Sequence, residues 1–179
     1  MFLANNLLLV ASFLAPLMAV SRKWYGKLRE TNVVEEVVEL LRHDNASIRS
    51  KACNLVGNLC RHDGSFYGDL GRVGGGRGGG GGGTIIDALI ERCVDVDDKT
   101  RKFACFAVGN AAFHSSELYD ELRASVPYLV QGLRDQDDKT RANAAGALGN
   151  LVRNSNELCE EVRGGEERSD ERRQRAREA

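Results

Sequence analysis

The chain has 179 residues, a formal net charge of −1, 6% aromatic residues and two prolines. This length suits one domain with a buried core or a short array of repeats, and the near-neutral charge argues against binding nucleic acid or membrane surfaces through bulk charge. The scarcity of proline and the lack of clear period-two runs bounded by turn residues favour helices over strands.

The N-terminal segment MFLANNLLLVASFLAPLMAV carries no charge and allows several interpretations. It is long enough for a signal or a membrane anchor, but no basic residue precedes it, and Asn5, Asn6 and Pro16 interrupt it. The next segment, SRKWYGKL, resembles a later one, SSELYDEL. We therefore interpret residues 1–28 as a partial repeat. An apolar N-terminal signal or anchor is the alternative, and a misplaced start of translation is a third.

Three long stretches align with one another and define the repeat. Ile85–Leu122 aligns with Ser125–Val162 at a shift of forty residues, and both contain DDKTR. Val33–Leu70 aligns with the former at a shift of fifty-two, because a glycine-rich insertion adds the difference. The predicted boundaries are residues 29–70 for repeat 1, 71–84 for the insertion, 85–124 for repeat 2 and 125–162 for repeat 3.

Each unit has the same predicted order of helices. A short amphipathic helix precedes a polar break, which opens a brief helix running into a long apolar helix that ends near Gly-Asn; a last helix leads to the next unit. Asp97 and Asp137 stand at the break as predicted N-caps, because a carboxylate accepts hydrogen bonds from first-turn amides. A helical period near forty is typical of armadillo and HEAT repeats, which stack to bury their apolar faces. The predicted fold class is all-α, an armadillo/HEAT-like right-handed superhelical repeat array.

Two segments depart from the repeat. The insertion at 71–84 is mostly glycine and lacks GK[ST], which excludes a phosphate-binding loop. We interpret it as a flexible surface loop, with an RNA-binding glycine-arginine segment around Arg72 and Arg77 as the alternative. The tail at 163–179 is charged and has no apolar face, so we expect it to be disordered.

No catalytic or metal-binding arrangement is visible in the sequence. GxSxG is absent, and capping explains the acidic pairs at the helix starts. The five cysteines form no CxxC pair, and the histidines lack ligand spacing with them. We expect no enzymatic activity, metal, cofactor, small-molecule substrate or nucleic acid, and we expect the cysteines to be buried free thiols in a reducing compartment.

One polar ladder lies near the end of the long apolar helix. It consists of Asn58, Asn110 and Asn150. A side-chain amide at this place can bind the backbone of an extended peptide in a groove, or it can bond locally and close its own helix end. The residues just before the asparagines are Gly57, Gly109 and Gly149, and their recurrence predicts close helix approach.

A second ladder lies at the start of the helix that the break opens. It consists of Arg49, Arg101 and Arg141. Pairing with acidic residues of adjacent units is one interpretation, and binding an acidic partner is the other.

The stretches SIRSKACNLVGNLCRH, KTRKFACFAVGNAAFH and DKTRANAAGALGNLVRNS resemble the C-terminal armadillo region of the Fused family of serine/threonine kinases, over roughly residues 21–162. In that family a kinase domain precedes a repeat region that acts as a docking platform. The resemblance implies protein partners, kinesin-like proteins among them, and a cytoplasmic, cytoskeletal or ciliary location. It also implies roles in Hedgehog signalling, cilium central-pair assembly or cytokinesis. The chain has no HRD or DFG motif, so this segment itself is not expected to phosphorylate.

The asparagine ladder also matches the position that grips peptides in relatives of importin-alpha and beta-catenin. In importin-alpha a Trp commonly stands four residues earlier, where this chain has Asn54, Phe106 and Gly146. Phe106 therefore joins the predicted groove, while nuclear-signal binding of that type is not expected. The expected function is a non-catalytic scaffold, the docking region of a Fused-like kinase. A stand-alone armadillo adaptor and a membrane-anchored helical protein are the alternatives.

Overall fold

The computed structural model describes residues 33–62, 64–71, 83–114 and 116–154, and these ranges contain helices and no strand. The helices in chain order are α1 (Val33–Leu41), α2 (Ala46–Leu59), α3 (Tyr67–Leu70), α4 (Ile85–Arg92), α5 (Asp98–Ala111), α6 (Tyr119–Leu122), a 3₁₀ turn (Arg123–Ser125), α7 (Val126–Gly132) and α8 (Asp138–Asn154). The first unit comprises α1–α3, the second α4–α6, and the third α7 and α8. Residues 1–28, most of the insertion and the tail at 163–179 lie outside the described residues, as do the predictions made for them.

Each long helix is continuous from the polar corner to the Gly-Asn pair. The predicted division into a brief helix and a long apolar helix is wrong, because α2, α5 and α8 each run unbroken through both. The change from polar to apolar residues along α5 follows burial, from exposed Asp98 and Lys99 to buried Ala107 and Val108. Neither Gly nor Pro interrupts the boundary between the two parts, so the backbone hydrogen bonds continue through it.

The polar corners begin the long helices as predicted. The Asp97 carboxylate accepts the Thr100 N–H at 2.8 Å, and the Asp137 carboxylate accepts the Thr140 N–H at 2.8 Å. In the first unit Asn45 is the N-cap instead. Such caps each stabilise a helix by roughly 1 kcal/mol, because they satisfy a first-turn amide that has no partner inside the helix.

The long helices lie side by side in one layer, α2 against α5 and α5 against α8. The short helices α1, α4 and α7 pack on the long helix of their own unit, and together the two layers enclose one core. The cysteines of the described residues are buried thiols outside any disulfide, as expected; they are Cys53, Cys60, Cys93 and Cys105. Burial raises the pKa of the Cys53 thiol above its ordinary value, which is typical of an unreactive core cysteine.

The recurring glycines do not share one environment. A Cβ at Gly57 would lie 2.5 Å from Cδ1 of Phe106 and 3.2 Å from the Ala107 Cα, so only glycine admits the ring at this distance. At Gly109 the nearest atom would be the Ala147 Cα at 3.4 Å, an ordinary contact. At Gly149 nothing lies within 4 Å. The predicted close approach therefore holds at Gly57, weakens at Gly109 and is absent at Gly149 among the described residues.

These environments predict opposite effects for one substitution. Gly57→Ala should lower the free energy of unfolding by about 1 kcal/mol, because displacing Phe106 costs more than the helix propensity gains. Gly149→Ala, the matched control, should raise it by up to about 1 kcal/mol, since alanine favours helix and meets open space. Urea unfolding followed by circular dichroism measures both. Equal effects would show that the Phe106 packing does not limit position 57.

Candidate functional site

The ladder arginine of the first unit joins two units. The Arg49 guanidinium donates from Nε and from one terminal nitrogen to the two oxygens of Asp95, at 2.8 Å each. Its other terminal nitrogen donates to the backbone carbonyls of His43 and Asp44, at 2.9 and 2.8 Å. The side chains of Arg49 and Asp95 are only 9% and 4% exposed. Arg49 is thus a buried, two-pronged link between its own corner and the corner of the second unit.

Arg101 repeats this link between the second and third units. It donates to the Asp135 oxygens at 2.6 and 3.1 Å and to the carbonyls of Asp95 and Val96. Arg141 bonds the carbonyls of its own corner in the same way, but its side-chain partner is Asp138 in its own helix. Among the described residues, no carboxylate of a further unit reaches Arg141. The structure therefore shows inter-unit pairing for two of the three arginines.

The asparagine ladder also connects neighbouring units. The Asn110 side chain donates from Nδ2 to the Gly57 carbonyl at 2.7 Å, and Asn150 donates to the Gly109 carbonyl at 2.9 Å. Asn58 donates within its own helix to the Asn54 carbonyl at 2.9 Å. Local helix-end bonding, one of the two interpretations, is wrong for Asn110 and Asn150. The donor half of each amide is used inside the array.

The side-chain oxygens of these two amides differ from the nitrogens in their bonding. Both Asn110 and Asn150 are half-buried, and within the described ranges neither Oδ1 atom accepts a hydrogen bond. The Gly57 and Gly109 carbonyls accept hydrogen bonds, so each side-chain amide must point its Nδ2 atom at them. These bonds therefore fix the orientation of both amides. Phe106 is half-buried, and its ring packs against Gly57, the residue just before the first asparagine of the ladder.

Tyrosines add a contact that the sequence reasoning missed. The Tyr67 hydroxyl donates to the Asn110 carbonyl at 3.1 Å, and the Tyr119 hydroxyl donates to the Asn150 carbonyl at 3.0 Å. Burial raises the pKa of both phenols, so both stay protonated donors. The signal was present in the sequence, because Tyr67 and Tyr119 occupy the same position of successive units.

The inter-unit carboxylates have lowered pKa values. For Asp135 the main cause is the hydrogen bond from Arg101, helped by the Asp137 N–H. For Asp95 the largest single effect is burial, which raises the pKa, but the hydrogen bonds from Arg49 and Asp97 together outweigh it. Both groups therefore stabilise the folded chain in their ionised form.

Other classes of site find no support in the described residues. No group of three or more His, Cys, Asp or Glu side chains there could hold a metal ion. A search of the same ranges finds no helix that is long and apolar enough to cross a membrane. The apolar N-terminal segment, on which the anchor alternative depends, lies outside those ranges.

Comparisons with known proteins identify this architecture. Residues 98–151 match the model of the HEAT-like repeat family. Serine/threonine-protein kinase 36 of Mus musculus is 35% identical over 120 residues, which are 67% of this chain and 8% of the kinase. Serine/threonine-protein kinase TIO of Arabidopsis thaliana is 45% identical over 55 residues, 31% of this chain and 4% of that protein. The chain thus spans under a tenth of the curated relatives it matches.

Solved structures give the same fold. The designed armadillo repeat protein YIII(Dq)4CqI superposes with a TM-score of 0.73 at 20% identity, covering 86% of this chain and 61% of that one. A designed armadillo repeat protein in complex with the peptide (KR)4 superposes at 0.70 with 18% identity, covering 84% and 59%. The chain is an armadillo/HEAT-like helical repeat array with sequence similarity to serine/threonine-protein kinase 36, a Fused kinase. The predicted fold class and family resemblance are confirmed.

The two arginine environments provide a matched pair of substitutions. Arg101→Met should lower the free energy of unfolding by about 3 kcal/mol, because it leaves the Asp135 carboxylate nearly buried and unpaired. Arg141→Met also loses two bonds to corner carbonyls, but its carboxylate partner is the exposed Asp138. Loss of that pair should lower the free energy of unfolding by about 1 kcal/mol or less. The difference, measured by urea unfolding, reports the inter-unit link. Equal losses would contradict it.

Acid should weaken the same link. Since the folded pKa of Asp135 is below its unfolded value, its stabilisation is complete above that unfolded value, about 4, and is lost as pH falls through the folded pKa. We expect Asp135→Asn to be destabilised at pH 7 and to lose less further stability than the wild type between about pH 5 and pH 2. Urea midpoints across this range measure the effect. Parallel curves would contradict it.

Proposed function

We propose that the array is a non-catalytic docking module that holds an extended protein segment along the surface of α2, α5 and α8. The observation that carries this proposal is the pair of oriented amides, Asn110 and Asn150, one per unit, each with an Oδ1 that has no donor in the described part of the chain. An extended backbone offers N–H groups at intervals, and a row of fixed acceptors suits it.

The comparisons support docking of this kind. A designed armadillo protein of the same fold is in complex with a peptide, (KR)4. The matched kinases carry this type of segment in a small share of their length, which suits a docking region rather than a catalytic one. We propose that the module serves a Fused-like kinase. Kinesin-like partners, a cytoplasmic or ciliary location and the Hedgehog, central-pair and cytokinesis roles are proposals that the resemblance implies.

The asparagines have two roles in this proposal. Their Nδ2 atoms hold neighbouring long helices together, and their Oδ1 atoms face the segment to be bound. Substituting them would therefore disturb stability and binding at once. A site-specific crosslinker at Gly146 is a cleaner probe, because Gly146 is exposed on α8 and a Cβ there meets nothing within 4 Å.

The test begins with selection of unstructured peptides from a displayed library on the full chain. Chains carrying benzoylphenylalanine at position 146 are then irradiated with a selected peptide. The matched control carries the crosslinker at Gln131, which is exposed on the short helix α7. We expect crosslinks at position 146 and few at 131, because the segment lies on the long helices. Crosslinks equal at both positions, or confined to 131, would overturn the proposed surface.

A further inference from the structure

Charge is segregated between the two layers of helices. Apart from the ladder arginines, the cations on the long helices are Lys51, Lys99, Lys102, Lys139 and Arg153. The acidic residues of the long helices are confined to their first turns, at Asp98 and Asp138. The short helices carry mostly acids, among them Glu36, Glu39, Asp87, Glu91, Asp120 and Glu121, and in the described part of the chain Arg92 is the one cation on their α-helical turns. A chain with a net charge of −1 therefore presents a basic face and an acidic one.

The basic face is free to meet a partner. Arg49 and Arg101 are occupied by inter-unit carboxylates, so they add nothing to it. Within residues 33–62, 64–71, 83–114 and 116–154, the five cations named above have no acidic side chain in bonding contact. Lys102 lies over the Phe103 ring at 4.7 Å, and Arg153 lies over the Phe113 ring at 4.7 Å. A cation held on an aromatic ring is positioned without being neutralised.

The C-terminal ends of the long helices provide an apolar anchor beside these charges. Phe113 is 45% exposed and lies edge-on to His114, with ring centroids 4.9 Å apart. Arg61, Phe113 and Arg153 occupy the same position of successive units. Arg153 donates to the Phe113 carbonyl at 3.1 Å, and His114 contacts the Arg61 carbonyl at 3.1 Å, so this row is held across the units. An exposed aromatic ring between cations suits a segment that combines acidic and apolar side chains.

We propose that the docked segment is acidic: an extended stretch of a partner protein in which Asp or Glu alternates with apolar residues. This inference rests on the proposed function and adds the charge of the occupant. Carboxylates of the segment pair with Lys51, Lys102 and Arg153, its backbone N–H groups donate to the asparagine Oδ1 atoms, and an apolar side chain covers Phe113. A nucleic acid is a poorer occupant, because the asparagine Oδ1 atoms need a row of N–H donors, which an extended peptide backbone supplies and a sugar-phosphate backbone does not.

The experiment titrates the full chain with three labelled peptides of equal length, alternating Glu-Leu, Ser-Leu and Lys-Leu, and with a single-stranded oligonucleotide. Fluorescence anisotropy at low and physiological salt measures each affinity. We expect Glu-Leu to bind at least about tenfold more tightly than Ser-Leu, Lys-Leu to bind weakest, and the preference to shrink as salt rises. Tighter binding of the oligonucleotide than of any peptide would overturn the proposal.

Charge-reversed variants locate the effect. Lys102→Glu with Arg153→Glu should weaken Glu-Leu binding by about tenfold or more and strengthen Lys-Leu binding. The control, Arg134→Glu, makes the same kind of charge change at an exposed residue just after α7 and should change affinity less than about twofold. Circular dichroism of each variant checks that the helices are retained. An equal loss in the control would overturn the proposal by showing that only overall charge matters.

The outcomes separate this inference from the proposed function. If all three peptides bind alike and crosslink at position 146, the docking surface stands and its preference for acid is wrong. If Glu-Leu binds but crosslinks at position 131 alone, both the surface and the acidic occupant assigned to it are wrong.

Discussion

The buried fork between an arginine of one unit and an aspartate of the next is the contact on which the array depends. A single unit of short helices cannot bury its apolar faces, so stability depends on how units meet. Arg49 holds the carbonyls of its own corner with one nitrogen and Asp95 with two others. Asp95 in turn accepts the Asp97 N–H at 3.0 Å and so shapes its own corner. One fork therefore fixes the corner of each unit relative to the next.

The other inter-unit contacts follow from that register. Once the corners are fixed, α5 lies beside α2 so that the Asn110 amide reaches the Gly57 carbonyl and the Tyr67 hydroxyl reaches the Asn110 carbonyl. Glycine at position 57 also makes room for the Phe106 ring on the same helix face. The polar bonds and the close packing are thus two consequences of one spacing between helices. Their repetition at Asn150 and Tyr119 shows that this spacing recurs in the next unit.

Sequence repetition was enough to predict the units, the helical class and the capping aspartates, because each is a local property that recurs with the period. It also showed that Arg101 and Asp135 each recur at one position of the unit, and pairing with acids of adjacent units was one interpretation. The period alone does not show that the arginine of one unit faces the aspartate of the next. That pairing depends on how the units stack. The continuity of the long helices was missed, because a change from polar to apolar residues along one helix resembles a boundary between two. The asparagine contact was missed for another reason. A glycine carbonyl in a neighbouring helix becomes reachable only once the helices approach closely, and a single sequence does not contain that distance.

In this fold, the charges that form the arginine–aspartate forks and the charges proposed to bind a partner are carried by different residues. The ladder arginines were candidate binding residues because they recur in the sequence. Arg49 and Arg101 instead hold the array together, because each is largely buried and bonds both oxygens of a carboxylate in the next unit. Of the remaining cations on the long helices, Lys99 and Lys139 recur at one position of successive units, whereas Lys51 and Lys102 do not. A recurring charge that is buried and paired has a structural role, whereas the cations gathered on the long helices are the ones we propose for binding. Because Lys102 and Arg153 take no part in the arginine–aspartate forks, the charge of this face can be reversed while the forks stay intact, and binding can be tested in a chain that keeps them.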